Sequence, residues 1–135
     1  MHRRMFSLMA AVCLSLIACS KDDDNANNNP GAVTTGTWRV TLFTDSGKDE
    51  TSDFSGYTFT FNSNGGAVAA KGGTSKNGAW SQNSRFNIDF GAKSDANKPL
   101  GELTDDWVII SQSNTEIKLK DDNDDSGELL TFTKN

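Results

Sequence analysis

The chain has 135 residues, is 35% hydrophobic and 23% charged, and carries a formal net charge of −5, which suits one small domain rather than several. Its single histidine, His2, all three methionines and Cys13 precede Cys19, so a domain downstream of Cys19 lacks the residues of Ser-His-Asp and Cys-His catalysis, His/Cys zinc sites and haem ligation, and any disulfide of its own. Acidic residues outnumber basic ones, 18 to 13, and the basic ones form no cluster, which excludes nucleic acid as a partner.

The chain opens with His2-Arg3-Arg4 and an apolar run from Met5 to Ile17, followed by small Ala18 and then Cys19. A positive start, a short apolar run and a small residue at its end are the marks of a processing signal. The run is shorter than the roughly 20 residues a membrane helix needs. Leu16-Ile17-Ala18-Cys19 resembles the lipobox of bacterial lipoproteins, and that resemblance implies cleavage before Cys19 and acylation of Cys19. Ser20-Lys21-Asp22-Asp23-Asp24 resembles the acidic export tag of surface lipoproteins of Bacteroidota, implying an outer-membrane, cell-surface location. Removal of residues 1–18 takes Arg3 and Arg4, leaving 11 basic against 18 acidic residues, a net charge of −7.

Residues 19–35 are rich in Asp, Asn and Gly, with no apolar periodicity, and are expected to be a linker whose coil dimension is about 20 Å. The domain is expected over 36–135. Trp38, Val40 and Leu42 alternate with polar residues, as do Tyr57, Phe59 and Phe61, the period of two of half-buried strands. Asn64-Gly65-Gly66 turns the chain into a strand around Val68, Gly72-Gly73 turns it again, and strands follow around Trp80 and over Phe86, Ile88 and Phe90. The stretch 91–104 is the one long connection. Trp107-Val108-Ile109-Ile110 is continuously apolar, which predicts burial on both faces or an edge covered by that connection. Ile117 and Leu119, then Leu130 and Phe132, complete about eight strands. Helix is limited to a turn or two before Gly36 or within 91–104.

Short turns join antiparallel neighbours, so the fold class is all-β: an eight-stranded antiparallel meander closed into a barrel. The alternative is an immunoglobulin-like sandwich, which the long 91–104 connection would serve as a crossover. Gly36-Thr37-Trp38 opening the first strand resembles the G-x-W signature of lipocalins and other calycins. Together with Gly78-Ala79-Trp80, Phe86-Asn87-Ile88-Asp89-Phe90 and Trp107, it is similar to small lipocalin-like domains of Bacteroidota lipoproteins. The chain departs from that family in lacking a Thr-Asp-Tyr motif, and Lys134 stands where lipocalins often place an arginine over the tryptophan.

An eight-stranded barrel is either filled by side chains or holds one small ligand. If a cavity exists, Trp38, Tyr57, Phe59, Trp80, Phe86 and Trp107 are its candidate lining, for a flat or lipid-like apolar molecule. Otherwise the core is filled, and the partners are a surface protein or glycan met by the exterior. Asp121, Asn123 and Asp125 have alternating oxygen-ligand spacing that suits calcium, but Ser126 takes the place of the glycine an EF-hand loop needs. Glu102, Asp105 and Asp106 are the carboxylates a glycosidase would use; adjacent strand residues point to opposite faces, so no catalytic residue is assigned. The expectation is a monomeric, non-enzymatic binding or accessory domain without a cofactor, tethered to a membrane through Cys19. The loops after the first strand, Lys71, Gly91 and Lys120 need not share an end in a meander, so no site is assembled from them.

Overall fold

The computed structural model describes residues 30–135; the signal, Cys19 and residues 20–29 of the expected linker lie outside the described residues. The described chain is a one-turn helix α1 (Pro30–Val33) and nine strands: β1 (Trp38–Asp45), β2 (Lys48–Asp49), β3 (Thr58–Phe61), β4 (Gly66–Lys71), β5 (Thr74–Gln82), β6 (Phe86–Asp89), β7 (Asp105–Gln112), β8 (Glu116–Lys120) and β9 (Leu129–Lys134). All pair antiparallel, in sequence order from β3 to β9, and β1 pairs with both β3 and β9. The sheet therefore closes on itself. The two-residue β2 only folds back on the tip of β1, so eight strands form the wall. A closed sheet excludes the sandwich alternative, and 91–104 is a loop between the paired neighbours β6 and β7, with 3₁₀ turns at Asp95–Asn97 and Leu100–Leu103, rather than a crossover.

Closure is uneven. β1 meets β9 over most of its length, from Trp38↔Lys134 to Thr44↔Leu129, but meets β3 only at Trp38↔Phe59. The 3₁₀ turn Thr51–Phe54 packs on β1 instead, with Phe54 buried and its ring edge-on to Phe43 at 5.2 Å. That apolar contact supplies there what the ladder does not.

Three expected strand phases differ from the structure. In β1 the pairing with β9 slips between Val40 and Leu42, so an extra residue turns Phe43 inward, fully buried, and leaves Leu42 half-exposed. In β4 the inward residues are Ala67 and Ala69, not Val68. Register dictates this: Phe61 lies opposite Ala67 and Phe59 opposite Ala69, and cross-strand partners share a face. In β7 a second slip between Ile109 and Ser111 breaks the apolar run. Trp107 is fully buried, Val108 and Ile109 are half-buried, and Ile110 is 52% exposed, so neither double-sided burial nor a covered edge applies.

The packed unit also begins earlier than Gly36. Val33 is fully buried in the core, its carbonyl accepts from Trp38 Nε1 at 3.0 Å, and the Ala32 carbonyl accepts from Lys134 Nζ at 2.9 Å. The same ammonium lies 4.6 Å from the Trp38 ring centroid, within cation–π range. α1 is thus docked at the barrel end where β1 begins and β9 finishes.

Candidate functional site at the mouth of the barrel

The interior is occupied by side chains. Phe59 touches Phe90 at 6.0 Å and Phe132 at 5.3 Å; Phe61 touches Phe132 at 5.4 Å and Phe86 at 5.6 Å; Trp80 touches Phe61 and Phe86, each at 5.6 Å. Most of these are edge-to-face contacts, which the ring quadrupoles favour. Of the six candidate ligand-lining residues, Trp38, Phe59, Trp80, Phe86 and Trp107 are buried in this cluster, and Tyr57 is half-buried at its margin. All three indole N–H groups are bonded within the chain: Trp38 to Val33 O, Trp80 to Asn62 O at 2.8 Å, and Trp107 to Leu103 O at 2.9 Å. Tyr57 instead faces a small surface recess with Lys71, whose Nζ lies 5.1 Å from its ring centroid. A shallow groove of about 500 Å³ lies against β5, β6 and β7, edged by Ser81, Asn87 and Asp106; Asn87 Nδ2 donates to Ser81 Oγ there at 3.0 Å.

The densest polar chemistry lies at one end. In an up-and-down barrel every second connection falls at the same end, so β1–β3, β4–β5, β6–β7 and β8–β9 must share one; we call it the mouth. Their contacts bear this out. Ser46 N–H donates to Ser126 O at 2.9 Å, Thr44 Oγ1 to Gly127 O at 2.8 Å, and Lys76 Nζ to Asn97 Oδ1 at 2.7 Å. Gly127 has φ of +65° and sits so close to Gly47 that a Cβ there would lie 2.7 Å from the Gly47 nitrogen, which requires glycine at that crossing.

Two carboxylate trios face this mouth, Asp45 with Glu50 and Glu102, and Asp105 with Asp121 and Glu128; within each, oxygens come within 4.8 Å of one another. A cleft of about 200 Å³ between them is lined by Asp45, Glu102, Glu128 and Lys93 among others. Lys93 Nζ bonds Asp105 at 2.9 Å. Burial opposes the charge on Lys93, but the hydrogen bond and charge of Asp105, with Glu128 and Asp121, raise its pKa above the ordinary lysine value. Burial pushes the Glu128 carboxyl up to about 7; Lys93 opposes that rise, and Asp45, Asp121 and Asp105 add to it. Burial likewise raises Glu102, with Glu50 reinforcing it. Like charges in a half-buried cleft favour a proton, and three carboxylates also present the hard oxygen ligands that calcium or magnesium prefers.

Of the sequence-derived calcium residues, Asp121 joins a trio, whereas Asn123 and Asp125 are exposed and serve the local turn, Asn123 Oδ1 accepting from the Asp125 N–H at 3.0 Å. Glu102, Asp105 and Asp106 are separated: the first two belong to different trios, and Asp106 is exposed, its N–H donating to Asp105 Oδ1 at 2.7 Å. Asp45 and Lys93 do not stand out in the sequence, and Glu50 and Glu128 do so only as members of the polar stretches Lys48-Asp49-Glu50 and Asp121 to Glu128. The parity of a meander would have found them: it puts the loops after the first strand, Lys71, Gly91 and Lys120 at one end, against expectation, and so brings the three connections that carry these residues together.

No known protein-family profile matches the chain, and no curated protein sequence matches it. Among solved structures, the barrel is similar to the crystal structure of a DUF4847 family protein from Bacteroides vulgatus, with a TM-score of 0.57 and 15% identity over 76% of this chain and 94% of that one. At that identity the likeness is one of fold, and this chain carries a closed antiparallel β-barrel of the kind found in that Bacteroides protein.

Proposed function

We propose that the chain is a lipid-anchored, surface-exposed accessory barrel of lipocalin-like descent that acts on a surface protein or glycan through its exterior, without catalysis. The observation that carries the choice of exterior over interior is the aromatic core, in which rings meet ring to ring and each indole N–H is already bonded. Lys134 over Trp38, in the arginine's place, supports the lipocalin-like reading. The anchor rests on Leu16-Ile17-Ala18-Cys19. Two or more acyl chains would hold the protein durably, since each buried methylene contributes about 0.8 kcal/mol.

Two measurements test this. Replacing Cys19→Ser should move the protein from the membrane to the soluble fraction; retention in the membrane would overturn the anchor. Titration with anilinonaphthalene sulfonate or palmitate, read by tryptophan fluorescence, should give no saturable quenching. Saturable quenching at one equivalent would instead favour the apolar-ligand reading.

A further inference from the structure

The chain enters and leaves the barrel at the end opposite the mouth. α1 docks there through Val33, Ala32 and their bonds to Trp38 and Lys134, and Asn135 lies beside it, its N–H donating to Thr37 O at 2.9 Å. We call this end the base. Ten residues, 20–29, separate Cys19 from the docked turn, so even a fully extended chain reaches at most about 38 Å. Attachment at the base biases the base toward the lipid, and a tether of this reach leaves the choice of end to the surface that each end presents.

Charge acts in the same direction. The mouth holds six lysines, Lys48, Lys71, Lys76, Lys93, Lys98 and Lys120, but its carboxylates, the two trios among them, outnumber these and leave it net negative, whereas the base end carries Arg39 and Lys134 with Glu116. An anionic lipid surface attracts basic side chains by about 1 kcal/mol each near the headgroups and repels carboxylates. Resting on the lipid-anchor reading, we infer that the barrel stands base-down on an anionic lipid surface and holds its carboxylate-lined mouth out to the medium. The face that meets a partner is then the mouth and not the base.

Vesicles test the orientation. After acylation of Cys19 the processed chain has no other thiol, so an introduced cysteine is a unique label site. Asn114, in the exposed β7–β8 turn of the base, and Ala96, in the exposed β6–β7 loop of the mouth, are replaced singly, Asn114→Cys and Ala96→Cys. Each acylated protein is labelled with a donor dye and reconstituted into phosphatidylglycerol-containing vesicles bearing an acceptor on a headgroup. Position 114 should transfer energy at least about twofold more efficiently than position 96, given about 20 Å between the ends of a tilted eight-residue strand. Equal transfer, or stronger transfer from position 96, overturns the orientation while flotation with the vesicles upholds the anchor. Acylation-independent recovery in the soluble fraction overturns the anchor and the orientation with it.

Discussion

Glu128 shows how one side chain couples the mouth to pH. Its carboxyl titrates near 7 in the folded chain against an ordinary value of 4.5, so between those values the folded state holds a proton that the unfolded state has released. Stability therefore falls as pH rises from about 4.5 to about 7, and levels off above. Glu102, also raised by burial, acts in the same sense. Discounted for the solvent that screens a half-buried group, the Glu128 effect is on the order of 1–2 kcal/mol, or about 5–10 °C in Tm for a domain of this size. Melting curves from pH 5 to pH 8 should show Tm falling in the parent and a shallower fall in Glu128→Gln. A parent Tm that rises over that range would contradict a half-buried, protonated Glu128 as the dominant group. Gly78 is a second decisive residue. A Cβ there would collide with the Asp89 carbonyl and lie 2.6 Å from Phe90 Cδ1. Gly78→Ala should cost about 1–3 kcal/mol by overpacking, measured by urea denaturation, whereas at Ser81, exposed on the same strand, alanine should cost less than about 0.5 kcal/mol.

At the scale of the strand, alternation located nearly every element but misassigned side chains where the ladder slips. Trp38 and Val40 point inward as their period of two requires, but an inserted residue is invisible to periodicity, and beyond it the phase inverts to bury Phe43. A paired substitution separates the two phases. Phe43→Ala should destabilise by about 3–5 kcal/mol and Leu42→Ala by clearly less; comparable losses in chemical denaturation would restore the simple alternation. The choice of Ala67 and Ala69 over Val68 is of another kind, because hydrophobicity favours valine inside. What overrides it is the volume already taken by Phe59 and Phe61 directly across the ladder, a fact of register that no single strand contains. A helical turn before Gly36 was within expectation, but its docking was hidden for a third reason: Gly31-Ala32-Val33 has no polar pattern of its own, and its place is set by Trp38 and Lys134.

For the molecule as a whole, the all-β class and the closed meander were legible from short turns and alternating runs, and the closed sheet bears them out. The mouth was legible only in principle. Its carboxylates are spread from Asp45 to Glu128, and what unites them is the odd-and-even order of connections in an up-and-down wall. The sequence pointed to Asp121, Asn123 and Asp125 because they are neighbours in the chain; the fold sets Asp121 beside Asp105 and Glu128 instead, and turns the other two to solvent.

The wall is sealed by its first and last long strands, from Trp38 against Lys134 to Thr44 against Leu129. A growing chain that has not yet supplied β9 leaves both β1 and β8 with open edges, and most of the pairings of β1 wait on contacts nearly a hundred residues apart. Such long-range closure is slow. A polypeptide of this topology stays open while it is being made, and acquires its final shape only when the last strand arrives.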